Sequence, residues 1–328
     1  MLKKQKVNLM KAMRSHEHGD VDVLNLETVD QPTPNDDQLL IAVKAAGVNP
    51  VDTYIRAGIN NYSAKFPHTP GMDGAGEVAA VGKNVVGFAV GDRVYFNRNL
   101  TGSAAEFALC EPSNCFPLAD AVSFAEGAGI GVPYTTAHRA LFGRAQAKAG
   151  EKVLIHGATG AVGIACVQLA KAAGLTVVAS AGTDEGAKLL EKQGADMIIR
   201  HDAEGHLDSY SSFDSGFNII IEMLANVNLD IDLKALARQG RVVVVGNRGT
   251  VEINPRDLMA RDAQVMGMAV MNMTPADHQQ TAKAMYPLFA AGLLKPVVRK
   301  EYALTELPQA HLDVLKPGAL GNLVITVG

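Results

Sequence analysis

The chain has 328 residues and a formal net charge of −4, with 48% hydrophobic and 20% charged residues. That length favours two domains, and the acidic balance speaks against a nucleic-acid partner, which would need a basic face. No apolar run reaches the roughly 18 residues that cross a bilayer, the lysine-bearing start lacks a following apolar stretch, and three scattered cysteines make no disulfide framework, so a cytoplasmic globular protein without a membrane partner is expected.

Residues 10–125 read as short strands broken by turn residues. The runs "QLLIAVKAAGVN", "GEVAAVG", "GDRVYF" and "AAEFALC" are separated by Gly, Pro, Asn and Asp, which predicts an antiparallel or barrel-like unit. His16 and His18 flank Glu17 in an expected N-terminal hairpin, where an exposed surface role is the simpler reading. From about residue 129 strands and helices alternate. "VLIHGA", "TVVASAG", "DMIIR", "FNIIIEML", "RVVVVGN" and "AQVMGMAV" are six strand candidates, with helices expected at "DEGAKLLEKQGA" and "LDIDLKALARQG". This is the pattern of an α/β fold, a Rossmann doubly wound parallel sheet of six strands. A helix over "ADHQQTAKAMYPLFAAGLL", with Thr274 as cap and Pro275 at its first position, and a closing strand "GNLVITVG" follow. The expected division is 1–128, 129–269 for the nucleotide domain, and a tail 270–328 that returns to the first unit.

The segment "LIHGATGAVGIACVQLA" carries glycines at 157, 160 and 163 between the first strand and a helix. That helix has Val162, Ala165, Cys166, Leu169 and Ala173 on one apolar face and Gly174 as its stop. Strand, glycine turn and helix in this order let backbone amides approach a pyrophosphate, while a turn without a ligand is the plainer alternative. An NAD site places a carboxylate at the tip of the second strand. Here the tip reads "VVASAGT", and Asp184 comes later. The tip leaves room for a 2′-phosphate, or accepts both coenzymes, and Lys188 and Arg200 stand near enough in sequence to supply charge.

The stretches "AAGVNPVDTYIRAG", "TPGMDGAGEVAAVG", "GVPYTTAHRAL", "HGATGAVG", "EMLANVN" and "RGTVEINPRD" resemble the zeta-crystallin type of NADPH:quinone oxidoreductase, a zinc-free branch of the medium-chain dehydrogenase/reductase superfamily. The resemblance runs over essentially the whole chain. It implies a GroES-like barrel-type first domain, NADPH as coenzyme, a small-molecule quinone (ortho-quinones in particular) as substrate, one-electron or hydride transfer, and a homodimer or homotetramer formed around "AQVMGMAV". Where zinc-dependent relatives carry "G-x-C" and "G-H-E", this chain has Gly47-Val48-Asn49 and Gly71-Met72-Asp73, so no catalytic zinc is expected. Cys110 and Cys115, separated by four residues, do not form a structural zinc lobe, and Cys166 reads as packing.

Carried over residue by residue, the resemblance implies catalytic roles for Asn49 and Tyr54 beside the nicotinamide and the quinone. It places Thr136 on the carboxamide, and Thr159, Gly160, Ala161 and Val162 at the pyrophosphate. Gly182 and His201 would lie at the adenosine ribose and its phosphate, with Asn228 near the adenosine half. Val245, Gly246, Asn247 and Arg248 would line the end of the fifth strand, and Met268, Ala269 and Val270 would approach the nicotinamide. The plainer alternatives are a turn before Pro50 for Asn49, core packing for Tyr54, and an ion pair within its own loop for Arg248. Two rival functions stand beside quinone reduction: a zinc-free enal or enone reductase, and a non-enzymatic NADPH-binding protein of crystallin or RNA-binding type. For the last, the only lysine cluster is "KKQK" at residues 3–6.

Overall fold

A computed structural model of the protein describes residues 8–202 and 215–328; the lysines at 3–6 lie outside the described residues. The chain opens with β1 (Leu9–Arg14) and β2 (Asn25–Asp30), an antiparallel hairpin. His16 and His18 sit in its connection and are exposed, as the sequence suggested. β3 (Leu39–Val48) follows, then α1 (Pro50–Ala57), β4 (Gly74–Val81), β5 (Arg93–Phe96), β6 (Phe107–Cys110) and β7 (Cys115–Pro117). The four runs expected as strands are β3 to β6. β3 is buried almost throughout because it lies inside its sheet and also pairs with β6.

Helix α1 was not expected. Asn49 precedes it in an extended conformation, Pro50 takes the first position, and Gly58 ends it at φ +68°. A proline at the first helical position forfeits no intrahelical bond, and only glycine adopts the left-handed stop at no steric cost.

Short helices α2 (Phe124–Ala128) and α3 (Gly131–His138) lead into the second unit. Its elements are β8 (Lys152–Ile155), α4 (Ala161–Ala172), β9 (Thr176–Ala181), α5 (Asp184–Lys192), β10 (Met197–Arg200), β11 (Phe217–Glu222), α6 (Ala225–Ala235), β12 (Leu236–Val244), α7 (Pro255–Met259) and β13 (Gln264–Gly267). The six strands form one parallel sheet in the order β10-β9-β8-β11-β12-β13. All six are the expected strands, and the order reverses between β8 and β11, where open α/β sheets hold ligands outside their strand ends. Cys166 is buried on α4, and Gly174 beyond its end has φ +77°.

The expected helix "LDIDLKALARQG" is corrected. α6 stops at Ala235, and Leu236 already pairs with Phe217 in β12. The guanidinium of Arg261 holds this break, donating to the carbonyls of Leu236 (3.0 Å) and Lys234 (2.8 Å). Apolar spacing alone does not separate a continuing helix from one that ends under a distant arginine.

α8 (Pro275–Ala290) begins as expected, with Thr274 Oγ1 accepting from Asp277 N at 3.2 Å, and stops before the expected Leu294. β14 (Val298–Ala303), α9 (Leu307–Asp313) and β15 (Asn322–Thr326) follow. β15 pairs antiparallel with β3, so the tail rejoins the first unit's sheet, in the order β14-β15-β3-β4-β5-β7. One apolar core joins the inner face of this sheet (Ala45, Tyr95, Phe116) to the nucleotide sheet through Tyr134 and Leu141; a second fills the barrel around Ile41 and Phe96. Among the described residues, no helix is long and apolar enough to cross a membrane.

Candidate active site

The turn after β8 is the first wall of the crevice. Gly157 adopts φ +54°, and Gly160 caps α4 in an extended conformation. Ile164 N closes the helix's first bond on Gly160 O at 2.9 Å. The amides of Ala161, Val162 and Gly163 therefore precede the helical ladder, where a helix N-terminus attracts an anion. Gly160 is not crowded by the protein: a Cβ there would meet Gly157 O at 3.5 Å and Ala319 Cβ at 4.0 Å, ordinary contact distances. Gly163 is a packing glycine, since a Cβ would fall 2.4 Å from Gly157 O. Thr159 O accepts from Gly321 N at 2.9 Å, so the loop before β15 closes against the glycine turn. That contact was invisible in the sequence, because it joins residues far apart in the chain.

At the tip of the second strand, Gly182 and His201 are neighbours. A Cβ on Gly182 would lie 2.5 Å from His201 Nε2, so glycine leaves room for the imidazole. Asp184 begins α5, as expected, and Lys188 is exposed on it. Arg200 is held by Asp184 and, at 2.7 Å, by Asp202. The expectation that Arg200 is available for a phosphate is thereby narrowed: two carboxylates already offset its charge.

The barrel wall carries Asn49. Its backbone N–H donates to Asp52 Oδ2 (2.8 Å), which caps α1, while its side chain turns away and donates from Nδ2 to Asp73 Oδ2 (2.9 Å). Asp73 Oδ2 also accepts from Val132 N at 2.8 Å. Asp52 Oδ1 accepts from Met72 N at 3.2 Å. Burial pushes the Asp52 carboxyl up to about 7 and that of Asp73 up to about 8, against the hydrogen bonds that favour their ionised forms. Tyr54, on α1, is half-buried with its ring 6.2 Å from that of Tyr62. The two positions where zinc-dependent relatives carry Cys and His offer an amide already engaged by Asp73 and the Met72 thioether, which do not fit zinc's usual donors. Cys110 and Cys115 are buried in the barrel.

A cleft of about 1010 Å³ opens beside this wall, lined by Asp52, Ile55, Met72, Arg98 and Met271 among others. Met271, in the turn after β13, joins a lining otherwise drawn from residues 10–102 of the first unit. In that segment Met268 N donates to Val244 O at 3.1 Å, and Met268 and Val270 are half-buried while Ala269 is exposed. Val245 and Gly246 leave the end of β12 together, both donating to Glu222 O (2.8 and 3.2 Å). Asn247 and Arg248 are exposed beyond them; Arg248 N donates to Asn226 Oδ1 at 2.9 Å, and the Arg248 side chain makes no ion pair among the described residues. Thr136 is buried on α3, and Asn228 on α6 donates from Nδ2 to Glu222 Oε1 at 3.2 Å.

The sequence reading passed over a buried trio at the same strand ends. His156 Nε2 lies 2.8 Å from Asp232 Oδ1 and 3.5 Å from Glu222 Oε2. The visible signal was an ionisable residue at the end of each of two apolar strands, "LIH" and "IIIE".

A parallel 3-2-1-4-5-6 sheet set against a barrel, with the crevice between them, is the architecture of a medium-chain dehydrogenase/reductase. A zinc-binding dehydrogenase family model matches residues 161–290, and an alcohol dehydrogenase GroES-like domain model matches residues 35–142. The quinone oxidoreductase of Homo sapiens is 44% identical over 321 residues, covering 97% of this chain and 98% of that protein. Among solved structures, the Pseudomonas syringae quinone oxidoreductase has a TM-score of 0.87 at 27% identity, covering 97% of this chain and 100% of that one. A mycobacterial protein complexed with NADPH has a TM-score of 0.86 at 27% identity, with the same coverage. The chain belongs to the quinone oxidoreductase family, of the zeta-crystallin type, within that superfamily.

Proposed function

We propose that the protein is an NADPH:quinone oxidoreductase that works without a catalytic metal. One observation carries the reading: the glycine turn opening α4 at the sheet's switch point, with a bare Gly160 and amides ahead of the helical ladder, is a cradle for a dinucleotide pyrophosphate. The chain's 44% identity to quinone oxidoreductases supports the acceptor, and the NADPH-bound relative supports the coenzyme. In this reading Thr159 to Val162 hold the pyrophosphate. Gly182 and His201 border the adenosine ribose, joined by Asn228 and by Val245 to Arg248. Thr136 and the segment Met268–Val270 border the nicotinamide.

When bound, the coenzyme supplies the reducing equivalents. The protein's own part is to orient, to exclude water and to steady charge. A quinone needs no Lewis acid to accept electrons, so a dry cleft that sets its ring against the donor suffices. One amide hydrogen of Asn49 is spent on Asp73; the second is available to a quinone oxygen as negative charge develops there. Tyr54 provides a phenolic hydroxyl from the same helix. The exposed edge strand β13, with Val265 37% exposed, supports pairing of two copies across a two-fold. Three buried cysteines fit a cytoplasmic address.

The test is a parallel assay of NADPH and NADH oxidation with an ortho-quinone and with an acrolein-like enal, on protein whose zinc content is measured. Quinone-dependent NADPH oxidation independent of zinc is expected. A higher kcat/KM for the enal would replace the acceptor, and activity proportional to zinc would overturn the metal-free reading.

A further inference from the structure

Glu222 ends β11 and is fully buried. Its backbone carbonyl holds Val245 and Gly246, while its side-chain Oε1 accepts from Leu224 N and from Asn228 Nδ2. Its Oε2 faces His156 Nε2 at 3.5 Å, and His156 in turn meets Asp232 Oδ1 at 2.8 Å. His156 is the residue before Gly157, and its own N–H donates to Ile221 O at 3.0 Å. One residue therefore ties together three segments that border the crevice: its carboxyl group meets the glycine turn through His156 and the start of α6, and its backbone carbonyl holds the exit of β12.

We propose that Glu222 is the positioning residue of the coenzyme crevice, and that the His156–Glu222–Asp232 cluster takes up a proton from solvent when NADPH binds. The proposal rests on the coenzyme reading above. From β8 the group facing the cluster is His156. From β11 it is Glu222; from α6 they are Asp232 and the neutral amide of Asn228. From β9 the neutral hydroxyl of Ser180 accepts from Gly157 N at 3.1 Å. The remaining ion pair of α6, Asp230 with Lys234, is on its exposed side. Two carboxyls and an imidazole thus share a site closed to water, and they titrate together. Burial pushes both carboxyls up to about 7. A pyrophosphate arriving at the neighbouring turn adds negative charge in a medium of low dielectric, which favours the protonated form of the cluster. The sign follows: bound protein holds more protons than free protein, so affinity is greatest on the acid side and falls as pH rises through about 7.

The experiment is calorimetric titration of NADPH into the wild-type protein, Glu222→Gln and Asp232→Asn, in two buffers of different ionisation enthalpy. Subtracting each variant from wild type cancels the protons of the coenzyme's own 2′-phosphate. Greater proton uptake by wild type is expected, and its Kd should weaken by about threefold or more, relative to Glu222→Gln, between about pH 6.5 and 8.5. Glu222→Ala, which removes the acceptor that glutamine keeps for Leu224 and Asn228, should bind NADPH about tenfold more weakly than Glu222→Gln. Equal proton uptake and parallel pH slopes in wild type and both carboxamide variants would overturn the proton linkage. Equal affinity of the Ala and Gln variants would overturn the positioning role. If Glu222→Gln does not fold, Asp232→Asn carries the same readout. Wild-type protein that binds no NADPH overturns the coenzyme reading together with this one, whereas binding without a proton difference overturns this one alone.

Discussion

Asn49 Nδ2 and Asp73 Oδ2 stand 2.9 Å apart in a buried hydrogen bond that points the amide of a helix-capping residue away from its own helix. Asp52 has taken over the capping of Asn49's backbone, which frees the side chain for this bond. The amide that would meet the quinone is thereby held by a carboxyl group in the segment just ahead of β4. Removing one such donor from a developing oxyanion costs about 10²–10³ in kcat in a well-studied protease. A quinone is a better acceptor, so Asn49→Ala is expected to lower kcat by about tenfold to hundredfold. Steady-state kinetics with an ortho-quinone would check it, and a fluorescence titration should show NADPH Kd shifted by less than about threefold.

The glycines of the phosphate turn should separate by role. A Cβ on Gly160 meets the protein only at ordinary contact distances, so Gly160→Ala should keep its melting temperature while weakening NADPH binding, because its methyl enters the space proposed for the pyrophosphate. Gly160→Asp would put a carboxylate in the space proposed for the pyrophosphate and is expected to abolish measurable binding without loss of melting temperature. Gly163→Ala should do the reverse, lowering the melting temperature first, because its Cβ would lie 2.4 Å from a backbone oxygen. Thermal denaturation beside NADPH titration distinguishes the two patterns.

At the second strand's tip, Gly182→Asp would add a carboxylate beside the position proposed for the 2′-phosphate and drive its Cβ toward His201 Nε2. NADPH affinity should fall by at least about tenfold, the value of a lost charge-assisted hydrogen bond. NADH, which lacks the phosphate, should be affected less. Loss of both coenzymes in equal measure would show that the imidazole's displacement, not charge, dominates.

The buried acids carry a pH signature in stability. Asp52 at about 7 and Asp73 at about 8 keep protons in the folded state that the unfolded chain releases near the ordinary carboxylate range. The folded protein therefore binds more protons, and stability falls as pH rises from about 4 through 8. The melting temperature should decline between pH 5.5 and 8.5, as about ordinary laboratory limits of that window, and Asp73→Asn should make the decline shallower. A melting temperature that rises across this window would contradict the assignment.

How much could be read in advance depended on the range of the cause. Six apolar strands, the glycine turn and the caps at Thr274 and Gly174 are local patterns, and each stands where it was expected. Helix α1 was legible too: Asn49, Pro50 and Gly58 are its start, first position and stop, but no helix was expected there and a turn before Pro50 was the alternative weighed for Asn49. The end of α6 was not legible, since it depends on Arg261 reaching back to the carbonyls of Lys234 and Leu236. Of the candidate site, the residue types stood in the sequence, while their partners did not.

The order of apolar, glycine and capping residues by itself determined a barrel followed by a doubly wound sheet, because periodicity and backbone stereochemistry act over a few residues. Only tertiary structure decided that Asn49 is aimed by Asp73, that Arg200 is held by two acids, and that His156, Glu222 and Asp232 share one dry pocket. The Asn49–Asp73 and His156–Asp232 contacts join residues 24 and 76 positions apart, and their energies come from burial and charge, which exist only once the chain has closed around them.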